Sequence, residues 1–354
     1  MALSRVTIKE VAQEAGVSIA TVYRAVNNTG RINEETRLRI LETVDRLGYK
    51  ANAAARGLAL RKKFNILVVL PKSPDLFWDD VRKGVHRAAE QLSNYGVRII
   101  ECYHKNGLMD SRSVLSIVYT EKIDAIILSI VGMPESSELL QYAKERNIPV
   151  AAVNEDTVSQ ERLFFYGPDN YLAGRMAAEL IKKFCNCYSK IAVISTRADY
   201  AYSTHDLRCK GFLDYFKEKH VEQHACDVYY CTAADASQFV THLLQQKTGI
   251  KALYFDQYTT LLSSCSALMN LSDRPIVVGH EYNSIFNDYI SEGVITALLV
   301  QEKVCQGYYP VMMMYQFLST GEEPDRSQYF SNINIIVESN LRFLKHDDNG
   351  CGYE

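Results

Sequence analysis

TIKEVAQEAGVSIATVYRAVN, residues 7–27, decides how the first part of the chain folds. Thr7 and Glu10 have the spacing of a capping box, in which each side chain accepts from the other residue's backbone N–H. Val6 and Val11 take the two positions of a hydrophobic staple. Ile8, Val11, Ala12 and Ala15 recur at helical spacing and make one apolar face, after which Gly16 permits a tight turn. Ser18 caps a second helix, whose Val22 and Val26 face inward while Ile19, Ala20, Tyr23, Arg24 and Asn27 share another face. Downstream, NEETRLRILETVDRLG predicts a third helix over 33–47, with Leu38, Leu41, Val44 and Leu47 apolar and Gly48 at its end. Two short helices joined by a tight turn and braced by a third make a helix-turn-helix, whose second helix enters the major groove of DNA. A small helical cap without a ligand has the same periodicity, so the pattern alone leaves both readings open.

Charge sets this segment apart. The chain has 354 residues with a net charge of −3, yet residues 1–63 carry twelve Lys or Arg against six acids, so the remainder is strongly acidic. A basic head on an acidic body points to a polyanion partner for the head alone. With 47% hydrophobic residues, no run of eighteen apolar residues and no secretory leader in MALSRVTIKEVAQ, the composition is that of a globular, cytoplasmic protein that does not enter a membrane. Nine cysteines, an odd number without paired CxxC spacing, read as reduced thiols.

The head resembles that of the lactose-repressor (LacI/GalR) family of bacterial transcription regulators, on TIKEVAQEAGVSIATVYRAVN followed by RINEETRLRILETVDRLGYKAN. The resemblance implies that Ile19, Ala20 and Arg24 point at base edges, while Thr7, Thr21, Tyr23 and Asn27 sit near phosphates. Arg24 is the strongest candidate for base readout, because its fork can meet guanine O6 and N7 together. Residues 49–63, YKANAAARGLALRKK, fall where the family has a hinge that becomes helical on DNA and wedges a leucine into the minor groove. Leu58 stands at that position with Ala55 beside it and Asn52 at the hinge start. An inserted wedge unstacks a base step and bends the duplex. Ala51 replaces the usual proline, and Gly57 weakens the presumed helix by about 1 kcal/mol relative to alanine.

The body alternates strands with helices. Strands are predicted at 65–70, 97–103, 125–129 and 150–153 with helices at 78–95, 111–121, 135–146 and 171–184. A second series has strands at 191–195, 227–230, 252–255 and 276–279 with helices at 206–218, 236–246 and 258–269. Alternation of this kind implies an α/β fold of two doubly wound parallel-sheet subdomains behind the helix-turn-helix head. PKSPDLFWDD stands after the first strand where a phosphate loop would carry glycines, and no GxxxxGK[ST], G-x-S-x-G or HExxH occurs. No cofactor, metal or catalytic activity is therefore expected.

Segments such as DLFWDDVRKG, IPVAAVNED, FYGPDNYLAGRMAAELI and IVVGHEYN make the body resemble the effector core of the same family, which is similar to periplasmic ribose- and sugar-binding proteins. The implied organisation is a head at 1–48, a hinge at 49–63, an effector domain at 64–345 and a flexible tail at 346–354. Within the effector domain, 64–168 with 302–326 form one subdomain and 169–301 with 327–345 the other. The cleft residues implied are Asp75, Phe77, Trp78, Asn154, Arg208, Gln257, Glu281 and Gln301, with aromatics against a sugar's C–H faces and polar groups on its hydroxyls. Asn154, Gln257 and Glu281 replace the Asp, Asn and Asp of the ribose pattern, so ribose itself does not follow. The expected protein is a transcription regulator, expected to repress, that binds palindromic operator DNA as a homodimer or a dimer of dimers under control of a sugar, polyol or sugar acid. A solute-binding module without a DNA role and an enzyme on a doubly wound sheet are the alternatives.

Overall fold

The computed structural model describes residues 6–26, 32–47, 63–72, 75–104, 111–129, 136–156, 162–185, 190–196, 204–219, 226–247 and 249–344. The chain forms two units, residues 1–62 and 63–354. Asn27, the hinge positions Asn52, Ala55 and Leu58, and the tail lie outside the described residues.

In the first unit, α1 (Ile8–Glu14) starts at the expected capping box: the Thr7 N–H donates to Glu10 Oε2 at 2.7 Å and the Glu10 N–H to Thr7 Oγ1 at 3.4 Å. Gly16 makes the turn at φ 65°, and Ser18 Oγ accepts the Thr21 N–H at 3.2 Å to open α2 (Ile19–Val26). Asn33 Oδ1 accepts the Glu35 N–H at the start of α3 (Glu34–Leu47). Val11, Ala12, Ala15, Val22, Ala25 and Ile40 form the core, with Val6, Val26 and Val44 packed against it. Leu38 departs from expectation, because it lies on the outer face of α3 and is 54% exposed. The inner face runs through Ile40 and Thr43 instead, and Thr43 is buried because its hydroxyl donates to the Arg39 carbonyl at 2.8 Å.

The second unit holds two sheets, each of six strands among the described residues. The first comprises β1 (Phe64–Pro71), β2 (Val97–His104), β3 (Ala125–Leu128), β4 (Val150–Val153), β5 (Phe164–Gly167) and β11 (Gln328–Phe330), in the order β11-β5-β4-β3-β1-β2. The second comprises β6 (Lys190–Ser195), β7 (Cys226–Tyr230), β8 (Ile250–Phe255), β9 (Ile276–His280), β10 (Ala297–Gln301) and β12 (Ile333–Ile336), in the order β12-β10-β9-β8-β6-β7. All pairs are parallel except β10 with β12. Apolar clusters cover both faces of each sheet, as parallel strands require. The backbone passes between the sheets after β5, after β10 and after β11. The last crossing falls between Phe330 and Ile333 rather than at 326/327, because β11 hydrogen-bonds β5 and so belongs to the first subdomain.

Two helix pairs fix the cleft-facing elements, and both depend on glycine. Helices α4 (Asp75–Leu92) and α12 (Lys303–Thr320) approach so closely that a Cβ on Gly84 would lie 2.0 Å from the Val304 carbonyl oxygen, and one on Gly307 1.9 Å from that of Val81. Helices α7 (Asn170–Phe184) and α8 (Thr204–Glu218) repeat the device: Gly174 would meet the Arg208 carbonyl at 1.9 Å and Gly211 that of Tyr171 at 2.0 Å. A methyl group cannot be placed there without forcing the backbones apart. Gly307→Ala is expected to cost about 3 kcal/mol of core stability, at the upper end of what overpacking usually costs. Denaturant unfolding of the full chain checks this, and a loss below about 0.5 kcal/mol would show that the helix pair yields easily.

Candidate functional site

Both halves of the core offer polar side chains at the ends of their strands, where parallel sheets bind ligands. Asn154 directly follows β4 and Glu281 directly follows β9, and both have left-handed backbones, with φ 66° and 65°. Asn tolerates that conformation, whereas Glu is held in it at a cost of order 1–3 kcal/mol. The surroundings compel it: the Glu281 N–H continues the ladder to Leu299, as the Asn154 N–H does to Tyr166. The two residues are thus structural counterparts in the two halves, and their side chains converge on Gln301 at the end of β10.

Glu281 Oε1 accepts from Gln301 Nε2 at 2.5 Å and lies 3.6 Å from Arg208 Nη2. Its other oxygen, Oε2, is buried without a hydrogen-bond partner among the described residues. Burial pushes the Glu281 carboxyl above its ordinary pKa, against the opposing pull of the Arg208 and Lys303 cations. Arg208 reaches the site from α8, with its carbonyl held against Gly174 and its guanidinium fixed by Asn170 Oδ1 at 3.0 Å and the Asp256 carbonyl at 2.9 Å. Gln301 Oε1 in turn accepts from Gln306 Nε2 at 2.6 Å and Asn154 Nδ2 at 3.4 Å, and Gln306 Oε1 accepts from Asn154 Nδ2 at 3.2 Å.

Beside this chain, Phe77, Tyr258, Glu281, Tyr282, Asn283 and Lys303 line a narrow pocket of about 10 Å³, room for about one water molecule. Lys303, at the start of α12, pairs with Asp80 at 2.8 Å and donates to the Tyr282 carbonyl at 3.4 Å, touching both halves of the core. Burial alone would raise the Asp80 carboxyl, but the Lys303 and Lys83 ammoniums outweigh it and hold it below its ordinary value. Arg208 thus faces Glu281, and Lys303 together with Lys83 faces Asp80. The arrangement presents groups of the kind that hold a small polar molecule: aromatic faces for C–H groups, a donor from Lys303 with Arg208 behind Glu281, and one carboxylate oxygen without a donor among the described residues.

Of the expected cleft residues, the structure brings Asn154, Arg208, Glu281 and Gln301 into one network and puts Phe77 on the cavity wall. Trp78 goes elsewhere. It is 2% exposed and packs into the core of the first subdomain, its ring edge-on to Phe77 at 5.0 Å, because adjacent helical residues point about 100° apart. Gln257 sits at the N-cap of α10 (Tyr258–Met269), where its Oε1 accepts from Thr259 at 3.1 Å. Asp75 opens α4, and its side chain lies outside the described residues. Sequence reasoning missed Asp80, Lys303 and Gln306. Nothing in QEKVCQG marks Gln306, whose role depends on the turn from β10 into α12.

In the head, Arg24 and Ile19 on α2 are exposed, Ile19 by 43%, while Ser18 and Thr21 hydroxyls bond each other at 2.8 Å. Thr7 is occupied by its cap. The side chains of Ala20 and Tyr23 lie outside the described residues. Among the described residues no cluster of His, Cys, Asp or Glu could hold a metal, and no helix is long and apolar enough to cross a membrane.

Residues 66–323 match the family described as periplasmic binding protein domain, and residues 7–52 match bacterial regulatory proteins, lacI family. Catabolite control protein A of Streptococcus mutans is 36% identical over 190 residues, 54% of each chain. The transcriptional regulator RegA of Clostridium acetobutylicum is 30% identical over 159 residues, 45% of this chain and 46% of that one. The chain spans about half the length of the curated relatives it matches. Among solved structures, a periplasmic ribose ABC transporter protein from Conexibacter woesei superposes with a TM-score of 0.69 at 16% identity, covering 80% of this chain and 94% of that one. GanP, a glucose-galactose binding protein from Geobacillus stearothermophilus, gives 0.66 at 20%, covering 79% and 99%. The chain belongs to the periplasmic-binding-protein domain family and carries a lacI-family head, as the resemblance implied.

Proposed function

We propose that this lacI-headed member of the periplasmic-binding-protein domain family is a DNA-binding transcriptional regulator, a repressor whose grip on its operator is set by a small neutral sugar or polyol in the cleft. The observation that carries the reading is the buried cleft network, in which Glu281 Oε2 is a desolvated acceptor without a donor among the described residues, beside the fixed guanidinium of Arg208. A sugar hydroxyl supplies what that oxygen lacks, whereas a polar group left buried and unpaired costs about 1–3 kcal/mol. The balance of Arg208 and Lys303 against Glu281 and Asp80 favours a neutral ligand over a sugar acid. A binding role rather than an enzymatic one fits the absence of a nucleophile–base pair in this network.

On the head, the exposed Arg24 near the end of the Ser18-capped α2 supports base readout, and the basic charge of residues 1–63 supports phosphate binding. Two chains would read half-sites related by two-fold symmetry, so the active form is a homodimer. Arg24→Ala should weaken specific DNA binding by about 1–3 kcal/mol while sparing random-sequence affinity. Fluorescence anisotropy on the DNA upstream of the protein's own gene measures both, and an equal loss on the two duplexes would remove Arg24 from base readout.

Thermal shift against D-ribose, D-arabinose, D-galactose, D-glucose, D-tagatose and common polyols tests the cleft. At least one should raise the melting temperature saturably, and Arg208→Ala and Phe77→Ala should each abolish the shift while the protein stays folded. A shift of unchanged size in both variants would put the binding site elsewhere.

A further inference from the structure

Glu281 sets the direction of the amides of Gln301, Gln306 and Asn154. In its ionised form, which the Arg208 guanidinium 3.6 Å away favours, Glu281 can only accept, so Gln301 turns its Nε2 toward Glu281 Oε1, at 2.5 Å. Its Oε1 then faces Gln306, which must answer with Nε2, at 2.6 Å. Gln306 Oε1, pointing the other way, takes Asn154 Nδ2 at 3.2 Å. Donors therefore run from Asn154 through Gln306 and Gln301 to Glu281 without a break, from the first subdomain into the second. Gln306 is 1% exposed and does not line the cavity. The end of the chain is Glu281, which lines the cavity and whose Oε2 is buried without a donor among the described residues.

We propose that Gln306 is a positioning residue that determines ligand specificity: by donating to Gln301 Oε1 it holds Gln301 Nε2 on Glu281 Oε1, which leaves Oε2 as the acceptor to which the cleft ligand must present a hydrogen-bond donor. This rests on the reading that the cleft binds a sugar or polyol, whose hydroxyl is such a donor. A ligand offering only an ether or carbonyl oxygen at that point meets an acceptor with an acceptor and is rejected.

The chain can be reversed, and the reversal is the test. Gln306→Glu puts an obligatory acceptor at the head of the chain. Gln301 must then turn its Nε2 to the introduced carboxylate, which brings its Oε1 against the Glu281 carboxylate. Adding Glu281→Gln relieves that clash, since the new amide donates to Gln301 and keeps its own oxygen for the ligand. Glu281→Gln alone keeps the original direction and turns its NH2 to the cavity, where the ligand needs an acceptor.

The experiment measures, on the full chain, the melting temperature and calorimetric affinity for the sugars of the panel named above in Gln306→Glu, Glu281→Gln, the double variant and Gln306→Met. Each single carboxylate–amide exchange should weaken sugar binding about 10–100-fold, the double variant should recover most of it, and Gln306→Met should lose less than Gln306→Glu. In the unliganded protein the double variant should melt above Gln306→Glu. Circular dichroism establishes which variants fold. If folded Gln306→Glu binds as the wild type does, or the double variant binds and melts no better than Gln306→Glu, the proposal is wrong. If Gln306→Glu does not fold, unchanged affinity in Gln306→Met overturns it. Should no sugar of the panel bind the wild type, the sugar reading fails, while the melting temperatures still decide whether the chain has the stated direction.

Discussion

The hydrogen bond from Gln301 to Glu281 is the contact on which the middle of the core depends. It ties the last residue of β10, where the backbone leaves the second sheet, to the residue after β9. Because a carboxylate has no proton to give, that single bond dictates how Gln301, Gln306 and Asn154 are turned, and these side chains reach across to the first subdomain. Buried polar networks of this kind fix one arrangement only when every member is satisfied. Here, among the described residues, one acceptor is left over, Oε2 of Glu281, a residue that lines the cavity.

The backbone is arranged to hold this network in place. The left-handed conformations at Asn154 and Glu281 aim two side chains from opposite sheets at the same glutamine. Gly174 lets α7 lie directly on the Arg208 carbonyl, and Gly307 lets α12, which carries Lys303 and Gln306, lie on that of Val81. Conformational strain at Glu281 and the desolvation of its carboxyl both disfavour the folded state. They persist because the two sheets and their helices over-determine the position, a pattern expected where a site is preorganised for a ligand.

Much of this was legible in the sequence, for reasons that differ by region. The head is governed by local chemistry: the Thr7–Glu10 box, the turn at Gly16 and the Ser18 cap all act within four residues, and all appear in the structure. Leu38 misled because an apolar residue in a helix need not lie on the buried stripe, and Thr43 took a core position through a bond to its own helix. In the body, apolar runs flanked by turns revealed β1 to β4 and β6 to β9 but not β10, although Ala297–Gln301 is itself largely apolar. The short strands β5, β11 and β12 carry no such pattern, since their residues are fixed by sheet neighbours far away in sequence. Asn154, Arg208, Glu281 and Gln301 were named only through resemblance. That Phe77 faces the cleft while Trp78 faces the core, and that Gln306 completes the network, depends on helix rotation and on the β10–α12 turn, neither of which the sequence states.

What remains is whether a ligand in the core speaks to the head. Two sites on one chain are coupled only if occupancy of one changes the affinity of the other, and the change must be reciprocal. The direct measurement is an anisotropy titration of the operator duplex at fixed salt, with and without a saturating concentration of the sugar that stabilises the core. Ligand control of the head displaces the curves by about fivefold or more in apparent Kd, a displacement that vanishes in Phe77→Ala. Superimposable curves, with the core demonstrably saturated, would contradict it.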